Sequence, residues 1–210
     1  MYFPYGEKEI RHLAAQDPRL GRVIRQIGHI DREVDSDLFA SVLHQIIGQQ
    51  ISSKAQATIW QRLLKTFGAV SPNRLARTTV DALRPLGIPA RKAQAILSFT
   101  HKVLSGELDL PGIAQLPDQE AIACLSQLQG IGVWTAEMLL IFCLQRPDIL
   151  SFRDLGIQRG MRMVYALKSI DKSSFATIRA RLSPFGTVAS FYFWAVNGGA
   201  CQLVDPAKAP

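Results

Sequence analysis

Gly130-Ile131-Gly132 and Asp154 are the residues of this chain whose types and spacing could do chemistry. Two glycines flank one apolar residue, and an apolar-periodic stretch lies on each side, which predicts helix, tight hairpin, helix. Glycine takes backbone angles closed to other residues and lets a second backbone approach. The second helix would begin near Gly132 with unsatisfied N–H groups pointing outward. Such a helix start favours an anion through its donors and its dipole alike. A Gly-x-Gly pair alone also ends one helix and starts the next in many proteins. Asp154 adds a carboxylate beyond an apolar helix and an irregular link, and that position equally suits an N-cap for the following helix.

The bulk properties bound what these residues can serve. A chain of 210 residues can bury one good-sized core or two small lobes. With 48% hydrophobic and 20% charged residues, its composition is globular and excludes disorder. The net charge of +7 and pI of about 9.6 suit a polyanion. Cys124, Cys143 and Cys201 are odd in number and far apart, without a disulfide framework or metal-ligand spacing, and are expected as buried thiols in a reducing compartment. The N-terminus lacks the basic start and apolar run of a signal peptide. Met138 to Leu144, the longest apolar run, is too short to span a bilayer. The expectation is a soluble, cytoplasmic protein with no membrane partner.

The elements that would position the site read as helices throughout. Two short helices split near Asp17-Pro18 precede one capped by Asp35 or Ser36, whose apolar face runs from Leu38 to Ile47. It stops at Gly48-Gln49-Gln50-Ile51, and Ser52 caps the next, which ends at Gly68. Short helices open at Ser71-Pro72 and at Thr78-Thr79-Val80-Asp81, which resembles a capping box. Pro89 opens a longer one that closes at Ser105-Gly106, and Asp118 caps the helix leading into the hairpin. Thr135 to Leu144 is almost wholly apolar and should be buried on most sides. Leu155 to Leu167, a helix capped by Ser173 or Ser174, and a last one from Thr187 to Val196 complete the chain. No convincing period of two occurs, so the fold is expected to be all-α with about ten short helices.

Gly130-Ile131-Gly132-Val133-Trp134-Thr135-Ala136-Glu137-Met138, followed by Asp154-Leu155-Gly156-Ile157-Gln158-Arg159-Gly160, resembles the helix-hairpin-helix DNA glycosylase superfamily. Within it the chain is similar to the AlkA-type DNA-3-methyladenine glycosylase group. Ile47-Gly48-Gln49-Gln50-Ile51-Ser52 and Gly87-Ile88-Pro89-Ala90-Arg91-Lys92-Ala93 echo the same group, and the four stretches stand in order from about Asp35 to Trp194. The resemblance implies one glycosylase domain over 1–210, with two helical lobes flanking a cleft. The lobes would be roughly 31–144 and 1–30 plus 145–210.

The resemblance also implies roles. Asp154 matches the catalytic aspartate, whereas Glu137 lies off that position. Trp134 occupies the place where bifunctional glycosylase–lyases have a lysine whose amine attacks the sugar, which implies a monofunctional enzyme. Trp134 and Trp194 match the aromatics that line the base pocket, where an electron-rich face attracts a cationic alkylated purine. Both could instead be core residues, the assignment made for Trp60. Met138, one turn beyond Trp134, stands where some relatives have another aromatic. Gln49 and Gln50 fall where the group inserts a side chain into the gap left by the extruded base, or they are two solvated loop amides. Gly130 and Gly132 would present N–H groups to a phosphate. Carbonyls of Ser126, Leu128 and Gly130 would hold a monovalent cation, with no other cofactor required.

Two positions depart from the group: Gln129 stands where proline is common, and Gly186 where a basic residue is frequent. An iron–sulfur cluster is excluded by the absence of clustered C-terminal cysteines. The expectation is a monomeric DNA N-glycosylase that removes 3-methyladenine and 7-methylguanine from double-stranded DNA in base excision repair. The alternative is a catalytically inactive DNA-binding relative of the same fold.

Overall fold

The structure is a computed structural model that describes residues 1–207. In chain order its helices are α1 (Glu7–Gln16), α2 (Pro18–Ile27), α3 (Leu38–Gly48), α4 (Ser53–Phe67), α5 (Pro72–Leu75), α6 (Val80–Leu83) and α7 (Ala90–Leu104). After them come α8 (Leu110–Ile113), α9 (Asp118–Ser126), α10 (Val133–Phe142), α11 (Leu155–Tyr165), α12 (Lys172–Leu182) and α13 (Gly186–Asn197). Among the described residues there is no β-strand, only an isolated antiparallel bridge between Tyr2 and Glu33. No described helix is long and apolar enough to cross a membrane. The one-turn helix α8 was not expected, because four residues are too few to show a period.

Internal contacts divide the chain into two compact units, Asp35–Leu144 and Met1–Val34 with Gln145–Pro210. The boundary expected at residue 31 moves because 31–34 belong with the N-terminus. Phe3 N donates to Arg32 O at 2.8 Å and Val34 N to Met1 O at 2.9 Å.

In the unit formed by both chain ends, α13 carries the core. Phe191, Tyr192 and Phe193 are fully buried, as are Leu13, Leu20, Ile157 and Met161. Each such side chain contributes roughly 1.5–3 kcal/mol by leaving water. Gly160 of α11 lets the backbone of α13 come close: a Cβ there would stand 2.1 Å from Phe193 O. Asp17 ties the α1–α2 turn to the end of α11. Its Oδ1 caps α2 through the amides of Arg19 and Leu20, at 3.1 and 3.0 Å. Its Oδ2 accepts the Tyr165 hydroxyl at 2.9 Å and Arg181 Nη2 at 3.2 Å. Burial and then the Asp17 charge push the Tyr165 phenol far up. Asp171, not Ser173 or Ser174, caps α12 by accepting from Ser174 N at 2.7 Å.

The middle unit is built on α3, α7 and α10. Val42, Leu43, Ile46, Ile96, Leu139 and Leu140 fill its interior, and Phe39 stacks on Phe99 at 5.1 Å. Asp37 rather than Asp35 or Ser36 caps α3, accepting from Ala40 N at 3.0 Å. Asp118 is the first residue of α9 instead of its cap, and that place belongs to Pro117. Ser52 caps α4 through Ala55 N at 3.2 Å. Trp60 is only half-buried, set edge-on to His44 at 5.0 Å. Of the cysteines, Cys143 and Cys201 are buried but Cys124 is half-exposed, contrary to the sequence expectation. Burial pushes the Cys143 thiol up to about 11.

Candidate active site and nucleic-acid interface

Asp154 stands at the N-cap of α11 with extended backbone angles, φ −84° and ψ 113°. Its Oδ1 accepts the amide of Ile157 at 2.8 Å, which satisfies one of the donors every helix start leaves over. The same oxygen accepts the indole Nε1–H of Trp194 at 3.0 Å. Two hydrogen bonds from different elements fix the carboxylate's orientation, and the residue is 8% exposed. The cap and the chemical role are therefore compatible in one side chain. Gln158 Nε2 holds the preceding link by donating to Phe152 O at 2.5 Å.

Gly156 makes the pairing with Trp194 possible. A Cβ at that position would stand 3.0 Å from Trp194 Cδ1 and 3.1 Å from Asp154 Oδ1, so the indole lies across the first turn of α11. The sequence displays this glycine beside Asp154 but not the indole that needs the space. Leu155 is the first helical residue, as the sequence pattern predicts, but its exposure is not predicted by that pattern. It is 65% exposed beside the carboxylate, and an exposed apolar residue has no signature in an otherwise regular helix pattern.

In the middle unit, α9 turns into α10 through Gly130, whose φ of +88° lies in the left-handed region that glycine alone enters without cost. Ile131 N closes the turn on Leu128 O at 2.9 Å. Gly132 is the N-cap of α10 and offers no side-chain cap, so the helix start keeps its donors for a ligand. A Cβ on Gly132 would meet nothing within 4 Å, which marks open space there.

Trp134, in the first turn of α10, is 42% exposed. Met138, expected beside it in the base pocket, is 4% exposed and belongs to the core of the unit. The physical reason is that from Met138 to Phe142 α10 is wholly apolar, so one turn beyond the exposed Trp134 the helix has entered the core of its unit. Gln49 and Gln50 follow α3 and lie by the hairpin, where they line a cavity of about 180 Å³ with Arg91, Lys92, Gln129 and Gly130. They differ in state. Gln49 donates its side-chain amide to Gly130 O, so it faces the hairpin, whereas Gln50 is exposed. Lys92 Nζ donates to Ile47 O at 2.7 Å and Gln49 O at 2.6 Å, and its partial burial lowers its pKa.

Of the three residues whose carbonyls would hold a cation, Leu128 accepts from Ile131 N and Gly130 from Gln49. The side-chain hydroxyl of Ser126 is buried without a hydrogen-bond partner.

The family model of the HhH-GPD superfamily base excision DNA repair proteins matches residues 43–184. The chain belongs to that superfamily. Among its relatives, it is similar to DNA-3-methyladenine glycosylase 1 of Schizosaccharomyces pombe, with 29% identity over 94% of this chain and 88% of that one. The crystal structure of DNA-3-methyladenine glycosidase from Bacillus halodurans superimposes with a TM-score of 0.86 at 33% identity, covering 94% and 93% of the two chains. That of S. pombe 3-methyladenine DNA glycosylase (Mag1) in complex with abasic DNA gives 0.76 at 28%, covering 91% and 97%.

Proposed function

We propose that this protein is a monofunctional DNA N-glycosylase that excises alkylated purines, 3-methyladenine and 7-methylguanine, from double-stranded DNA. The observation that carries the reading is the Asp154 carboxylate, buried and held by the Trp194 indole and the Ile157 amide. The target nucleotide must leave the stack before its glycosidic bond is reachable. As that bond lengthens, its electron pair departs with the base and positive charge builds on the sugar. A carboxylate fixed beforehand stabilises this charge without reorganising during the reaction. Water then bonds to C1′ and gives up its proton to Asp154. A purine already cationic from N3 or N7 alkylation leaves as a neutral base, so no strong general acid is required. The products are the free base and an abasic site.

Trp134 supports the monofunctional reading, since an indole cannot act as the amine nucleophile of a lyase. Its exposed face suits a cationic ring. The DNA contacts in this proposal are the amides at the start of α10, with Gly130 and Gly132, and Gln50. Between positions 38 and 106 the only acidic residue is Asp81, which favours a polyanion along α4 to α7. A monovalent cation on the carbonyls of Ser126, Leu128 and Gly130 belongs to the same reading. A carbonyl oxygen has two lone pairs, so the protein bonds to Leu128 and Gly130 do not exhaust them. The buried Ser126 hydroxyl adds acceptor capacity. The ion would stiffen the hairpin, and no step of the reaction runs through it. The protein would act as a monomer in the cytoplasm.

Asp154→Asn tests the mechanism. Asparagine caps helices as well as aspartate does, and it keeps an acceptor for the indole N–H. Release of methylated purines in a single turnover should slow by at least about a hundredfold, while affinity for DNA changes little. Full activity in the variant removes the mechanism, and strand cleavage without alkali removes the monofunctional assignment.

A further inference from the structure

The end of α3 poses a question that Lys92 answers. A helix leaves its last carbonyls without intrahelical donors, and Ile46-Ile47-Gly48 brings no side chain to cap them. Lys92 supplies the missing donors, with Nζ 2.7 Å from Ile47 O and 2.6 Å from Gln49 O. An ammonium at a helix C-terminus is favourable through both hydrogen bonding and the dipole. In its own helix the same charge is misplaced, because Lys92 lies in the first turn of α7, where the dipole disfavours cations. The position makes sense only through the neighbour it caps.

The two carbonyls bracket the loop that ends in Gln50. That residue has φ +55°, the left-handed region, which a residue with a side chain occupies only when its surroundings enforce it. Those surroundings are identifiable. Lys92 grips the backbone at Ile47 and Gln49, and the Gln49 side chain donates to Gly130 O of the hairpin. On the other side, Gln56 of α4 fills the space beside Gly48, its amide on His44 O at 2.8 Å. What remains exposed at the tip is Gln50, with Ile51 beside it.

We infer that Lys92 is a positioning residue: its ammonium, with the Gln49 tether to the hairpin, holds the 48–51 loop so that Gln50 is presented ready-formed to the gap opened in the duplex. The inference rests on the glycosylase reading above. It also separates the two glutamines, since Gln49 spends its amide on the protein and Gln50 alone faces outward. A loop ordered before binding does not have to be ordered during it, so less of the interaction is lost to entropy.

The test compares one alkylated purine in two DNAs, paired within a duplex and placed in an unpaired bubble flanked by duplex. With Lys92→Met, single-turnover release at sub-saturating enzyme should fall about tenfold on the paired lesion and less than about twofold in the bubble, where extrusion meets no pairing to overcome. Gln50→Ala should show the same selectivity. The double variant should be no slower than Gln50→Ala by more than about twofold, because the lysine acts through the glutamine. Equal losses on both DNAs, or losses that multiply in the double variant, overturn the inference. If Lys92→Met does not fold, Gln49→Ala cuts the other tether and must show the same paired-lesion selectivity. Wild-type protein that releases no base from either DNA overturns the glycosylase reading itself, a different outcome from loss of selectivity.

Discussion

In the unit formed by both chain ends, the residues assigned to the reaction are withdrawn from solvent and bonded to one another: buried Asp154 to half-buried Trp194, with Gly156 making room between them. In the middle unit, the residues assigned to DNA are exposed, and it is the backbone beneath them that is held. Trp134 is 42% exposed at the start of α10, and Gln50 sits at the tip of a loop gripped by Lys92. The difference teaches where tolerance to substitution should lie. A side chain that is part of a packed, hydrogen-bonded arrangement cannot change without disturbing stability and activity together. One that projects from a held backbone can change activity alone.

The strongest way to break this contrast is at Gly160. Alanine there places a Cβ 2.1 Å from Phe193 O, so α11 and α13 must part. The variant should lose roughly 1–3 kcal/mol of stability or more in chemical denaturation, the usual cost of overpacking, and its excision should fall with it. Unchanged stability would show that the two helices are not locked together. Trp134→Ala sharpens the other side. Its unfolding midpoint should barely move, while release of alkylated purines should drop by about tenfold through loss of the stacking face, worth roughly 0.5–2 kcal/mol for a cation. Gly132→Asp should have the smallest effect. The added side chain meets no protein atom, so folding is preserved, and a negative charge against a phosphate should weaken DNA binding severalfold whatever the sequence. A sequence-dependent loss, measured by titration with unrelated duplexes, would place Gly132 away from the backbone.

The helices were legible because their punctuation is local. Asp17-Pro18, Ser52, Gly68 and the Gly130–Gly132 hairpin each act on the residues next to them. Where several candidates stand in a row the choice was not legible: Asp37 caps α3 among Asp35, Ser36 and Asp37, and Asp171 caps α12 ahead of Ser173 and Ser174. Adjacent polar residues look alike in sequence, and only the direction in which the chain enters the helix selects one. Contacts between distant positions were hidden as well. Nothing local says that Trp194 donates to Asp154 or that Lys92 caps α3, since each pair lies about forty residues apart. Met138 could not be assigned by spacing, because an apolar run around a whole helix singles out no face.

The family match stops at residue 184 and begins at residue 43. Asp154, well inside it, leans on two residues outside: Trp194 touches its carboxylate, and Asp17 anchors the far end of α11 through Tyr165. A minimal fragment trimmed to the matched span would keep every recognisable motif of the hairpin and the aspartate. It would also lack the indole and the carboxylate that brace the helix at its two ends, so the signature of the activity is shorter than the machinery that sustains it.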